Sequence, residues 1–220
     1  MSKNYLLEAL QISIEKPFLG AFSGTCLPVL EQPITPTKEK HLGALATRIV
    51  TKDTWHNVPE NSQNMPYGAG MVLRKDVAMA YLKRTSKNKL LRNLDRKGDC
   101  LACHGDLDMA STSFQLGLGV GLSPKLKLWH LIPPHRLSDS YLIKMKKDAS
   151  ESKYIYEYLT LKRPPPFPAT FWTRPGRLLL WIKMNQFERK MMAAEQTGLN
   201  EARKKIKTLI QKRKKIKTSK

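Results

Sequence analysis

Residues Phe18 to Leu30 have the sequence "FLGAFSGTCLPVL". It is an apolar run with several small residues, which is typical of a buried strand. Residues 4–16, just before it, alternate polar and apolar side chains with helical spacing, so they predict an amphipathic helix that "KPFLG" ends. The apolar positions of that helix are Leu6, Leu7, Leu10, Ile12 and Ile14.

Strands and helices continue to alternate beyond this pair. "YGAGMVLR" (67–74) predicts a strand whose glycines allow a close backbone approach, and "KDVAMAYLKR" (75–84) predicts a helix. A second helix is predicted over 107–119, and a strand from 120 ends in a His- and Pro-rich loop. Residues 31–64 predict a long irregular connection with one short helix near 42–50. The alternation predicts an α/β fold.

Charge and cysteine content narrow the class of protein. Of the 220 residues, 39 are Lys or Arg and 18 are Asp or Glu, so the net charge of +21 predicts an anionic partner. Three cysteines cannot form a disulfide framework, which predicts reduced thiols and a cytoplasmic location. The N-terminus lacks the pattern of a secretory signal, and "RLLLWIKM" is too short to span a membrane.

The composition changes near residue 150, which predicts two domains, 1–150 and 151–220. "LKRPPPFPATFWTRPGR" predicts a Pro-rich linker. Helices are predicted over about 178–192 and from Asn200 onward, forming a basic helical extension. The stretch "RKKIKTLIQKRKKIKTSK" from Arg203 contains no acidic residue. It predicts either an auxiliary anchor, for instance to an anionic membrane surface, or a low-specificity patch that binds RNA, DNA or anionic lipid. A specific nucleic-acid partner is disfavoured, because no recognisable nucleic-acid module accompanies it.

"KGDCLACHGDLDMA", residues 97–110, supports two different interpretations. Cys100-x-x-Cys103-His104 has the spacing of a c-type haem attachment, but no export signal or second axial ligand accompanies it, so haem is not expected. A zinc site would lack ligands, and buried structural thiols are expected instead. The alternative interpretation places Asp106 and Asp108 at a helix N-terminus, where a carboxylate serves either as a helix cap or as a general base.

Four ordered motifs resemble the acceptor-side half of the family 2 glycosyltransferases, which have the GT-A fold. They are "EKPFLGAFSG", "PYGAGMVLRKDVAMAYL", "LDRKGDCLACHGDLDMASTSFQLGLGVG" and "LKLWHLIPPHRL", and the resemblance extends from Tyr5 to Leu142. It implies that the fold of residues 1–150 is a partial GT-A-like domain, and that the activity is inverting transfer of a sugar from a nucleotide-sugar to a hydroxyl of a glycan or lipid.

The resemblance also implies roles for individual residues. Asp106 takes the position of the general base, and Asp108 takes the family's second acidic position. His130 lies where the family approaches the metal or the diphosphate, and Arg136 resembles a basic residue that meets phosphate. The acceptor pocket is bordered by Gly68, Ala69 and Gly70.

Each of these residues also has a purely structural interpretation. Both carboxylates serve as helix caps in that case, His130 ends a strand, and Arg136 is a solvated loop charge. His104 departs from the family, whose members often carry a small residue there.

The family's nucleotide-binding half, with its Asp-x-Asp metal motif, is not found in these 220 residues. We therefore expect one of three origins: a remnant of a disrupted gene, a product that starts internally, or a half that pairs with a separately encoded one. An active form would use Mn²⁺ or Mg²⁺. The alternative is a non-catalytic basic protein that binds nucleic acid or an anionic membrane surface.

Overall fold

The computed structural model describes residues 1–59, 64–86, 88–161 and 181–218. The chain forms two compact units. One contains residues 1–92 and 105–137, and the other contains residues 93–104 and 138–220. A four-stranded sheet with helices makes up the first unit, and the second unit is helical. The predicted α/β class is therefore confirmed.

Most elements of the first unit lie where the apolar periodicity places them. The first unit also contains two 3-10 turns, at Leu42–Leu45 and at Pro134–Leu137. The helices and strands, in chain order, are α1 (Tyr5–Glu15), β1 (Leu19–Leu30), α2 (Pro36–Glu39), β2 (Thr54–His56), β3 (Val72–Leu73), α3 (Lys75–Ser86), α4 (Lys89–Arg92), α5 (Gly105–Gln115) and β4 (Gly119–Ile132).

The sheet has the strand order β2-β4-β1-β3, and its two long central strands are parallel. β3 pairs antiparallel with β1, and β2 pairs antiparallel with β4. The central register shifts twice, first between Leu19 and Ala21 and again where Gly24 pairs with Ser123 whereas Thr25 pairs with Lys127. The second shift is the larger one. Three residues of β4, 124–126, therefore bulge from the ladder.

Helices cover both faces of this sheet. On one face, Tyr5, Ala9 and Ile12 of α1 pack against Phe22 and Leu126. On the other face, residues of α5 pack in a core that contains Ala21, Met65, Ala110 and Val120. Gly20 is required at this second interface, since a Cβ there would overlap the Ser113 side chain of α5. The small residues of β1 are thus explained by the close approach of α5.

The second unit consists mainly of two long helices, α6 (Asp139–Leu161) and α7 (Gln186–Thr218). Lys147 forms an ion pair with Glu201 at 3.0 Å, and Glu151 pairs with Lys205, so the two helices run in roughly the same direction. Their backbones come closest at Gly198, where a Cβ would overlap the Lys147 carbonyl oxygen. A glycine at this position permits the close crossing.

Several sequence predictions differ from the structure. The strand predicted over 67–74 is only Val72–Leu73, because Gly68 to Gly70 form a turn. In place of a helix over 42–50, the structure has the short helix α2 and a 3-10 turn. The helix expected to end near Met192 and the one expected from Asn200 are one helix, α7, because the α6 interface extends along it without a break.

The predicted domain boundary lies inside a helix, and most of the predicted linker lies outside the described residues. The boundary predicted near residue 150 lies inside α6, and the chain divides between 137 and 138 and around 93–104. The Pro-rich linker predicted over 161–177 lies outside the described residues except for its first residue, which ends α6, and the last two residues of the tail also lie outside them. Within the described ranges, none of the helices combines the length and the apolar character needed to cross a bilayer.

Candidate functional site

The candidate site lies in the first unit, at the carboxyl ends of the parallel strands β1 and β4. Pro28 pairs with His130 near these ends. The loops that follow the two strands are connected, because Lys38 Nζ donates a hydrogen bond to the Leu137 carbonyl at 3.0 Å. In open α/β sheets this edge is where ligands bind, since the loops that leave neighbouring strands meet there.

Asp106 is the second residue of α5, and two backbone N–H groups fix its carboxylate. Oδ1 accepts a hydrogen bond from the Leu107 amide at 2.8 Å, and Oδ2 accepts one from the Gly68 amide at 2.8 Å. Both bonds hold the carboxylate at the N-terminus of the helix. The residue is only half-buried, so a ligand can reach it. The predicted helix N-terminal position of Asp106 is confirmed.

The turn from Gly68 to Gly70 is built around two close approaches. A Cβ on Gly68 would lie 3.1 Å from the Cβ of Asp106, and Gly70 has a φ of +70°. The Gly70 carbonyl accepts a hydrogen bond from the Tyr5 hydroxyl of α1. The prediction that these glycines allow close contacts is confirmed, although they lie in a turn and not in a strand.

Arg48 supports the same turn, and the sequence analysis missed it. Its Nη1 donates to the Met65 carbonyl at 2.7 Å, and its guanidinium lies 3.7 Å from the Tyr67 ring centroid. Its backbone pairs with Cys26 of β1. A single arginine in an irregular loop has no local sequence signal, because its contacts come from residues distant in the chain.

His130 and Arg136 form a second pair at the same strand ends. Arg136 Nη1 lies 3.4 Å from His130 Nε2. Because arginine only donates hydrogen bonds, Nε2 must present its lone pair in this arrangement. The guanidinium therefore lies beside the imidazole at the strand ends. The structure thus brings the predicted residues together as two pairs, Asp106 with Gly68 and His130 with Arg136.

Asp108 has a different environment from Asp106. It is 3% exposed and forms an ion pair with Arg84 of α3, with Nη2 and Oδ2 2.8 Å apart. Arg84 also donates to Thr112 Oγ1 at 3.0 Å, so it connects α3 to α5 at two points. Burial raises the pKa of Asp108, and the nearby Arg84 charge opposes part of that rise. These contacts are those of a structural ion pair.

The expected divalent metal does not fit the described residues as a complete site. Over these ranges, no three His, Cys, Asp or Glu side chains come together in a way that could hold a metal ion. His130, the predicted ligand, has the Arg136 cation next to its Nε2 lone pair. A metal near this edge would therefore need ligands from outside these residues.

The Cys-x-x-Cys-His segment belongs to the second unit. Cys100 is exposed and Cys103 is half-buried, so the prediction of two buried thiols is wrong for Cys100, which lies at a turn closed by Lys97. His104 is buried, with its Nδ1 2.9 Å from Ser152 Oγ. Its ring stacks on the ring of Tyr156. The imidazole is therefore part of the packing against α6.

The stability of the chain should depend on pH through His104. Burial, together with the Lys153 charge, lowers its pKa from 6.5 to about 4. Between pH 6.5 and pH 4 His104 binds a proton in the unfolded chain but not in the folded chain. The contribution of the neutral His104 to the free energy of unfolding is therefore complete above pH 6.5 and is lost as the pH falls through 4. We expect a loss of about 3 kcal/mol, measured by urea unfolding from pH 7 to pH 4.

The substitution His104→Gln should flatten this pH dependence, whereas the exposed His135→Gln should leave it unchanged. An equally steep dependence in His104→Gln would contradict the assignment.

The site therefore consists of a carboxylate fixed at a glycine turn and a histidine–arginine pair at the strand ends. No family model, curated protein or solved structure compared with this chain matches it.

Proposed function

We propose that this chain is the acceptor-side half of an inverting glycosyltransferase with a GT-A fold, similar to family 2. The observation that carries the proposal is the Gly68 amide 2.8 Å from Asp106 Oδ2. The contact joins two motifs of the resemblance that are 38 residues apart in the sequence. This contact supports the role of Asp106 as a base at the border of an acceptor pocket. The carboxylate is held in one position and is partly exposed, and the neighbouring Gly68 and Gly70 have no side chains to block an acceptor.

In the proposed reaction Asp106 accepts the proton of an acceptor hydroxyl. The hydroxyl oxygen forms a bond to the anomeric carbon of the donor sugar, and the bond from that carbon to the nucleoside diphosphate breaks with inversion. The departing diphosphate takes the electron pair, and the Arg136 guanidinium, positioned against His130, neutralises part of its charge. A divalent ion held by ligands outside the described residues would neutralise further charge on the diphosphate.

The donor nucleotide is bound, in this proposal, by residues that are not among those described. Asp106, the glycine turn, His130 and Arg136 account for the acceptor and the leaving group, but none of them recognises a base or a ribose. A nucleotide-binding half therefore completes the site.

The test is a transfer assay on the full chain with radiolabelled nucleotide-sugars, Mn²⁺ or Mg²⁺, and lipid or oligosaccharide acceptors. We expect donor hydrolysis or transfer that depends on the metal and rises when a nucleotide-binding half is co-expressed. If every donor fails to bind and to turn over, alone and with that half, the proposal is wrong.

The alternative is a non-catalytic protein whose basic helix binds an anionic surface. It is favoured by the exposed cations Arg203, Lys204 and Lys207 of α7. Under this alternative, removal of residues 203–220 abolishes binding to nucleic acid and to anionic vesicles, and no substitution at Asp106 has an effect.

A further inference from the structure

Helix α1 has two apolar faces, and only one of them packs on the sheet. Tyr5, Ala9 and Ile12 are buried in the core. The face turned away from them carries four large aliphatic side chains with exposed fractions between 58% and 78%, namely Leu6, Leu7, Leu10 and Ile14. Leu6, Leu10 and Ile14 are spaced four residues apart, so they form a continuous stripe along the helix.

A stripe of this kind is unusual on a charged surface. Single exposed leucines are normal, but four adjacent ones on an 11-residue helix form a contiguous apolar patch that water solvates poorly. The core does not need this face, because the opposite side of α1 already fills it. The exposed stripe therefore indicates contact with an apolar partner.

Lysines surround the first turn of the same helix. Lys3, Lys125 and Lys127 line an open cleft of about 430 Å³, and Glu8 is its acidic member. The bulge in β4 brings Lys125 to this position, and the Ser2 amide holds the chain end against β4 by donating to the Lys127 carbonyl at 2.9 Å. The cleft thus has an excess of positive charge beside the beginning of the apolar stripe.

Two exposed aromatic residues lie beyond the other end of α1. Phe18 and Trp55 contact each other edge to face, with centroids 6.1 Å apart. Lys16 Nζ lies 4.7 Å from the Trp55 ring centroid and pairs with Asp53. Exposed aromatics beside lysines are typical of side chains at a membrane–water interface.

We propose that α1 lies in the plane of an anionic lipid bilayer and attaches the first unit to it. The aliphatic stripe contacts the acyl chains, while Lys3, Lys125 and Lys127 bind the phosphates of the headgroups. The helix is about 16 Å long, about half the thickness of a bilayer core, so it lies along the surface and does not cross it.

The charge of the chain favours a bilayer over other apolar partners. A second copy placed against the stripe would bring two lysine clusters and two chains of charge +21 together, which repel each other. Nucleic acid would satisfy the lysines but would leave the leucines in water. An anionic bilayer satisfies both groups. This inference stands apart from the proposed transfer reaction, since it uses none of the residues of that site.

The experiment is co-sedimentation of the full chain with vesicles of phosphatidylcholine alone or mixed with phosphatidylserine. The variant Leu6→Ser/Leu10→Ser should weaken binding to the mixed vesicles at least about tenfold. The matched control is Met79→Ser/Leu82→Ser on α3, where both side chains are also 58% exposed. This control should bind like the unmodified chain.

A charge variant tests the second part of the proposal. Lys3→Gln/Lys125→Gln/Lys127→Gln should lose about fivefold in affinity per charge on mixed vesicles and should change little on phosphatidylcholine alone. Circular dichroism and sedimentation velocity accompany both variants.

Three outcomes would overturn the proposal. The first is unchanged vesicle binding by the α1 variant, which would place the binding in the basic tail. The second is no vesicle binding by the unmodified chain together with a dimer that the α1 variant dissociates. The third is loss of nucleic-acid binding in the lysine variant with vesicle binding intact.

Discussion

Replacing Asp106 with asparagine is expected to lower the rate of sugar transfer by about 10²- to 10⁴-fold, because an amide cannot accept the acceptor's proton. The substitution should change the fold little. Asparagine keeps one acceptor oxygen for the two backbone amides, of Gly68 and Leu107, so about one hydrogen bond, or about 1 kcal/mol, is lost. The measurement is the initial rate of transfer at saturating donor and acceptor, with thermal unfolding of both proteins in parallel.

Asp76→Asn is a closely matched control for this experiment. Asp76 is the second residue of α3, as Asp106 is of α5, and its Oδ1 accepts the amide of the next residue, Val77, at 2.9 Å. It differs in its second contact, which is the Arg74 side chain at 3.3 Å and not the Gly68 amide. If both variants lose activity equally, or if Asp106→Asn retains the full rate, Asp106 is a helix cap and not the base.

Replacing Arg84 with methionine is expected to destabilise the chain by about 3–5 kcal/mol. The substitution leaves the buried Asp108 carboxylate without the cation 2.8 Å away, and it also removes the hydrogen bond to Thr112. The measurement is urea unfolding followed by circular dichroism. Arg74→Met serves as the control, because Arg74 pairs with Asp76 at the surface, where an ion pair contributes up to about 1 kcal/mol.

The loss in Arg84→Met should depend on pH in a defined direction. Burial already raises the pKa of Asp108 in the folded chain, and removal of Arg84 removes the charge that opposes this rise. The folded variant then binds a proton more readily than the unfolded chain, so its stability decreases as the pH rises above the ordinary carboxyl pKa of 3.8. A defect that is equally large at acidic and neutral pH would contradict this account.

The strands and helices with the strongest periodicity were predictable from the sequence. α1, β1, α3 and β4 agree with their predicted segments, since their apolar residues recur with the period of a helix or a strand. The predicted helix over 107–119 exists as α5 but ends earlier, at Gln115. The position of Asp106 at a helix N-terminus followed from the same pattern. Local sequence was sufficient for these features because they depend on neighbours within a few residues.

Other features depend on contacts between distant residues and were not predictable. The turn at Gly68 to Gly70 replaces a strand because Tyr5 and Asp106 bind its backbone. Asp106 and Asp108 look alike in sequence, but their roles diverge because Arg84, 24 residues away, pairs with only one of them. α7 is continuous because α6 packs along it, which no local signal in "QTGLNEARK" indicates.

The pairing of β1 with β4 has a consequence for how the chain folds. Leu19 pairs with Gly119, so the central ladder joins residues about 100 positions apart, and such distant pairings form slowly. Residues 93–104, which lie between the two strands in sequence, belong to the other unit. During synthesis, therefore, the first unit cannot close until β4 has left the ribosome, and until then the edge of β1 that pairs with β4 is exposed and prone to aggregation.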